Sequence, residues 1–191
     1  MSDLRASELP FLEFKKIYRV SRPMVVSEKI DGTNGLIAIG ETGEFKIGSR
    51  SRWINPGKDT DNYGFAAWAT ENKEELLKLG VGYHYGEWWG QGIQRKYNIN
   101  ERRWSLFNTS RWSDEAVRPK CCHVVPVLYS GIFSTEAIDK CISDLREKGS
   151  VASPGFLQPE GVVVFHVQGS FMLKKTLIKD EEHKSFGKVI Q

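Results

Sequence analysis

Short apolar segments punctuated by glycine constrain this chain more than any other feature of its sequence. Met24 to Ile30, Gly35 to Ile39 and Glu44 to Ile47 are brief and partly alternating, with Gly32, Gly40 and Gly43 between them. An apolar residue at every second position suits a strand with one buried face, and turns this short join antiparallel neighbours. Tyr83 to Trp89, Trp104 to Phe107, His123 to Ser130, Gly161 to Val167 and Phe171 to Lys174 are later segments of the same kind. Val162 to Phe165 is apolar throughout and reads as a strand buried on both faces, with Gly169-Ser170 turning the chain into the next one.

Two stretches carry helical signals instead. Phe65 to Leu79 follows Asp61-Asn62, which can cap a first turn, and stops at Gly80. Ser134 to Lys148 starts on a capping serine and stops at Gly149, and Ala137, Ile138, Cys141, Ile142 and Leu145 form one apolar stripe. Strands and helices without regular β-α-β alternation predict an α+β fold of mainly antiparallel sheets with packed helices. With no repeat, low-complexity tract or linker, residues 1–191 read as a single domain.

Composition mainly excludes. The chain is 40% apolar and 27% charged, and no apolar run in it approaches the roughly 18 residues of a membrane span. The opening MSDLRASELPFLEF has acidic residues and lacks the apolar centre of a secretory signal. Two of the three cysteines, Cys121 and Cys122, are adjacent, and none forms a C-x-x-C pair. That argues against a disulfide framework or zinc site and for a reducing compartment. A cytoplasmic monomer is the expectation. The net charge of +3 is compatible with a nucleic-acid partner without demanding one. Gly92 to Lys120 concentrates seven Lys/Arg against three Asp/Glu, with Tyr97, Trp104, Phe107 and Trp112 among them. Such a mixture suits phosphates and bases, although a solvated face above core aromatics has the same composition.

The chemistry concentrates in Glu28-Lys29-Ile30-Asp31-Gly32-Thr33-Asn34-Gly35. A lysine at the end of an apolar strand, followed by a polar glycine turn, points an amine into a cleft. An ordinary lysine titrates near pH 10.4, roughly, and is a poor nucleophile until its surroundings favour the neutral amine. Taken alone, Asp-Gly-Thr-Asn is also the composition of any surface β-turn.

The order of later residues adds to this. Lys29 to Gly35 resembles the K-x-D/H-G-T-N signature of ATP-dependent RNA ligases, within the covalent nucleotidyltransferase superfamily of polynucleotide ligases and mRNA capping enzymes. Ser49-Arg50 resembles the family's S-R pair, Gly86-Glu87 its G-E pair, and Ser105-Leu106-Phe107-Asn108 its aromatic-bearing strand. Glu160-Gly161-Val162-Val163 is similar to its E-G-h-V motif, where h is apolar, and Met172-Leu173-Lys174 to its closing lysine strand. The resemblance spans Glu28 to about Lys175 and implies a ligase-type, ATP-grasp-like nucleotidyltransferase fold.

It also implies a set of roles. Lys29 would attack the α-phosphorus of ATP to form lysyl-AMP, and Lys174 would neutralise charge on the α-phosphate oxygens. Glu28, Asn34, Arg50, Glu87, Phe107, Glu160 and Lys174 would bind the nucleotide. Glu87 would accept from the ribose hydroxyls and Phe107 would stack on adenine, while Arg50 and Asn34 would hold the nucleotide or an incoming 5′-phosphate. Glu160 would position a divalent metal, Mg²⁺ or Mn²⁺, through water. The implied activity is joining of RNA 5′-phosphate and 3′-hydroxyl ends, a reaction of the RNA-repair class. Each residue has a plainer reading too: Phe107 as core, Arg50 as a loop cation, Glu160 as edge decoration, Lys174 and Lys175 as solvent-facing strand ends.

Two features depart from the family pattern. Its closing strand carries lysines two apart, whereas Leu173-Lys174-Lys175-Thr176 leaves Thr176 in the second position in one register, with Lys184 a possible substitute. The chain runs only 16 residues past Lys175, so no appended OB-fold or C-terminal domain is expected. A minimal ATP-dependent DNA ligase, which shares K-x-D-G, and a non-catalytic nucleic-acid-binding domain of the same fold are the alternatives. Thr33-Asn34 favours the RNA branch.

Overall fold

Alternation of buried and open residues along Pro23–Lys29 makes it the first strand, β1, and sets the geometry of everything that follows. Met24, Val26 and Glu28 point to one side, and Val25, Ser27 and Lys29 to the other. The structure is a computed structural model describing residues 9–178 and 180; Lys184 lies outside the described residues. After β1 come β2 (Thr33–Ile39), β3 (Phe45–Gly48), α1 (Phe65–Glu71), α2 (Lys73–Leu76), β4 (Gly82–Gly90) and β5 (Arg102–Leu106). Then follow α3 (Thr109–Trp112), β6 (His123–Val124), β7 (Val127–Ile132), α4 (Thr135–Lys148), β8 (Gly161–His166) and β9 (Phe171–Thr176).

The strands form two sheets, ordered β7-β1-β8-β9 and β3-β2-β4-β5-β6. Pairing is antiparallel except between β5 and β6. The expected α+β class with mainly antiparallel sheets is the fold observed. Each sheet is covered on one face. Met24, Val26, Val162 and Val164 of the first pack against Ile138, Cys141, Ile142 and Leu145 of α4. Beneath the second, Phe65 of α1 lies 5.5 Å from the ring centres of both Trp88 and Trp104. Gly35 makes room for Phe65, since a Cβ there would stand 2.5 Å from its Cζ. A third cluster, Ile30, Trp89, Tyr97, Val125 and Phe156, fills the join between the sheets.

Several sequence expectations change in the structure. The stretch expected as one helix from Phe65 to Leu79 breaks at Asn72, whose side-chain amide donates to the Trp68 carbonyl and competes with the helical ladder. The N-cap position falls on Gly64, not on Asp61-Asn62, yet the Asp61 carboxylate still reaches the first turn and accepts from the amides of Ala66 and Ala67. His123 to Ser130 divides, with Val125-Pro126 carrying the chain from the second sheet to the first. Val162 to Phe165 is buried on one face only; Val163 and Phe165 look outward. Of the aromatics between Gly92 and Lys120, Tyr97, Trp104 and Trp112 are core and Phe107 alone is exposed. No helix among the described residues is long and apolar enough to cross a membrane.

Candidate active site

The first sheet turns one face to α4 and leaves the other open. Register carries the alternation of β1 to its neighbours: Ser27 pairs with Val163 and Val163 with Lys174, while Lys29 pairs with Gly161 and Gly161 with Thr176. Cross-strand partners share a face. Lys29, Lys174 and Thr176 therefore stand on the open side. Lys175 stands on the other, where its Nζ donates to Asp139 of α4 at 2.6 Å.

Lys29 ends β1 with its Nζ 2.6 Å from the Glu160 carboxylate, which precedes β8. Neither side chain is freely solvated, at 25% and 11% exposure, so the ion pair is less screened than a surface one. Among the described residues no three His, Cys, Asp or Glu side chains converge as a metal-binding group. The chemistry that Glu160 offers, one hard carboxylate with an oxygen beyond its lysine bond, fits a divalent ion that keeps most of its water.

Beyond Lys29 the chain turns into the second sheet, and five side-chain contacts hold that turn. The Glu87 carboxylate accepts from the Gly32 amide at 2.9 Å and from the Asn34 side-chain amide at 3.0 Å, Asn34 being its cross-strand partner. Gly32 must lack a side chain here, because a Cβ would lie 2.4 Å from the Trp88 carbonyl oxygen. Burial pushes the Glu87 carboxyl up to about 7, against the opposing pull of the Gly32 amide, the Lys29 charge and Asn34. Asp31 accepts from Arg95 at 2.8 Å, and its own amide donates to the Tyr97 hydroxyl at 2.8 Å. Thr33 Oγ1 accepts from the Asn62 side chain at 2.8 Å.

Phe107 shares the open face of the second sheet with Glu87. Glu87 pairs with Ser105, and two residues on, the Phe107 amide donates to Tyr85. The ring is 39% exposed, so Phe107 is a surface aromatic next to a buried acid. Arg50 lies exposed just past β3 and, among the described residues, makes no side-chain hydrogen bond or ion pair.

Glu28 corrects an expectation. Strand alternation turns it to the side opposite Lys29, and its carboxylate accepts from Ser150 Oγ at 2.6 Å and from the amides of Val151 and Ala152 at 2.8 and 2.9 Å. Burial raises its pKa despite these three donors. Glu28 fastens the 150–152 loop beneath the strand that carries Lys29. The roles of Arg95 and Tyr97 on Asp31 were not legible in the sequence, because more than sixty intervening residues separate the partners and Arg95 looks like any cation of its basic stretch.

Comparison with known proteins bears on this arrangement. A family model described as RNA ligase matches residues 22–179. Curated protein sequences return no match. Among solved structures, Naegleria gruberi RNA ligase with PPi is similar at TM-score 0.61 and 16% identity, over 82% of this chain and 50% of that one. A point mutant of that ligase with AMP and Mn is similar at TM-score 0.64 and 18% identity, over 86% and 53%. Another mutant of it, with ATP and Mn, gives 0.63 and 16%, over 85% and 52%. The chain spans about half the length of these structures.

Proposed function

The chain belongs to the RNA ligase family, and from that premise we propose that it joins RNA 5′-phosphate and 3′-hydroxyl ends through a lysyl-AMP on Lys29. The observation that carries this reading is the Lys29 amine, held on an open sheet face with Lys174 and tied through one turn to the acid Glu87. The first step forms a bond from Lys29 Nζ to the α-phosphorus of ATP and breaks the bond to the β-phosphate oxygen. The Lys29 ammonium gives up one proton before attack, for which Glu160 at 2.6 Å is the nearest acceptor. Pyrophosphate then leaves, and the new phosphoramidate nitrogen releases a second proton to solvent.

The other residues divide the binding between them. Glu87 keeps lone pairs free for the ribose hydroxyls, Phe107 offers a face to adenine, and Lys174 meets the charge that grows on the phosphate oxygens. Asn34 in that turn and, by resemblance, the exposed Arg50 past β3 would hold the nucleotide or an incoming 5′-phosphate. A divalent ion held near Glu160 through water would draw charge from the phosphates. That Naegleria gruberi RNA ligase was solved with ATP or AMP and Mn supports a nucleotide and a divalent metal here. The AMP would then pass to a 5′-phosphate, and attack by a 3′-hydroxyl would release it and seal the ends.

Incubation with α-labelled ATP and Mg²⁺ tests the first step. The expected product is an acid-labile, alkali-stable protein adduct that Lys29→Ala lacks. A mutant labelled as fully as the parent sinks the assignment, and an unlabelled parent leaves the non-catalytic alternative. Sealing of single-stranded RNA, nicked RNA duplex and nicked DNA then separates RNA from DNA joining.

A further inference from the structure

The open face of the second sheet continues past Phe107. Register sets three rows across it: Asn34, Glu87 and Ser105; then Gly48, Leu36 and Tyr85, with Phe107 bonded beside it; then Lys46, Ala38 and Tyr83. Rows two residues apart stand about 7 Å apart. Tyr85 and Tyr83 are 53% and 67% exposed. Trp53, bridged to Gly48, is 51% exposed. Its ring lies where a side chain at 48 would be, 3.3 Å from the Cβ that Gly48 lacks. Lys46 Nζ stands 5.6 Å from the centre of that ring.

These rings border two hollows that share a wall. One, of about 350 Å³, lies between Trp53 and Tyr83 above Ala38. The other, of about 170 Å³, is lined by Tyr83, Tyr85, Phe107 and Arg111. An aromatic path thus leads from the ring offered to adenine to the edge of the sheet. β3 is the edge strand of its sheet, the chain folding back on its end through Trp53 and Ile54, and Lys46, Arg50 and Arg52 lie along or just beyond it.

We propose that this face is a docking track for single-stranded RNA, whose bases stack on Tyr85, Tyr83 and Trp53 while a phosphate meets Lys46. The choice of RNA rests on the ligase reading; the preference for a single strand comes from the face itself. Bases in a duplex are stacked on one another and cannot lie flat on protein rings, whereas those of a single strand can. Ala38, a small residue, keeps the floor low enough for a base to settle, and Gly48 lets the Trp53 ring lie down on the sheet beside it. Cations line the β3 edge, and the acids Glu41 and Glu44 close the far end of the larger hollow, where they repel phosphate and accept from base amines. The phosphate chain is thereby directed along the Lys46 side.

The test uses the full chain and a labelled 5′-phosphorylated oligouridylate of about twelve nucleotides, with anisotropy as the readout. Trp53→Leu and Tyr83→Leu keep apolar bulk and remove the π face. Each should weaken binding about tenfold, and Trp53→Phe should restore most of it. Lys46→Ala should reduce the slope of log affinity against log salt by about 0.7. Affinity for a blunt RNA duplex, thermal stability and AMP labelling at Lys29 should stay unchanged in the leucine variants. Oligouridylate binding by the Trp53→Leu/Tyr83→Leu pair within about twofold of the parent overturns the proposal and leaves the face to a protein partner. Equal loss of duplex binding overturns it as well. If the parent takes no AMP label yet binds the oligouridylate through Trp53 and Tyr83, the ligase reading fails and the track stands.

Discussion

Lys29 and Glu160 are in direct contact, the ammonium of one donating to the carboxylate of the other at 2.6 Å across 131 residues of chain. On the proposed reading one carboxylate would serve twice, as neighbour to the nucleophile and as holder of a divalent ion. Glu160→Ala should lower the adenylylation rate by about 10²–10³. Raised Mg²⁺ should recover part of that loss. A rate measured across a Mg²⁺ series checks this, and loss insensitive to Mg²⁺ would leave Glu160 with the lysine contact alone.

Lys174 and Lys175 are neighbours with opposite fates. Lys174→Ala should cost about 10²–10³ in the rate of adenylylation with little change in KM for ATP, since a cation facing developing charge acts in the transition state. Lys175→Ala breaks the pair with Asp139 on the far side of the sheet and should leave adenylylation intact. Single-turnover labelling of both variants distinguishes them, and the reverse pattern would place the phosphate on the α4 side.

Phe107→Ala should raise the KM for ATP and leave kcat near normal. Stacking on a base is worth roughly 1–3 kcal/mol and serves substrate and transition state alike. GTP compared with ATP at equal concentration checks whether stacking alone selects the base.

Glu87 predicts a pH dependence. Its folded value of about 7 lies above the ordinary 4.5, so the folded protein holds this proton more tightly than the unfolded chain does. Ionisation of Glu87 thus subtracts stability progressively as pH rises from 4.5 to about 7, and no further above it. If Glu87 accepts from the ribose hydroxyls as proposed, binding runs the other way, because those hydroxyls need the ionised acceptor. KM for ATP should rise as pH falls below about 7, and that rise should be absent from Glu87→Gln. Adenylylation kinetics measured on both sides of neutrality decide it.

Glu28→Ala separates structure from nucleotide binding. It strands the Ser150 hydroxyl and two loop amides, at a cost of about 1–3 kcal/mol for each group that water cannot reach. Urea denaturation should show the loss, while KM for ATP of the folded enzyme stays near that of the parent. A raised KM without lost stability would return Glu28 to the nucleotide site.

Local sequence determined a good deal of this protein. Alternation located the strands, and Ser134 and Gly149 bounded α4 where the structure ends it. The residues from Lys29 to Gly35 marked the turn between the two sheets around which the proposed site is built, because lysine, turn and first polar side chains are contiguous. Tertiary structure decided the rest. Period-two alternation says that Lys174 and Lys175 face opposite ways, but only pairing with β8, and of β8 with β1, says which of them faces Lys29. The same limit concealed the burial of Glu28, the half-open face of Val162 to Phe165 and the hold of Arg95 and Tyr97 on Asp31. A strand's own sequence carries relative phase, and absolute phase is set by partners that can lie more than a hundred residues away.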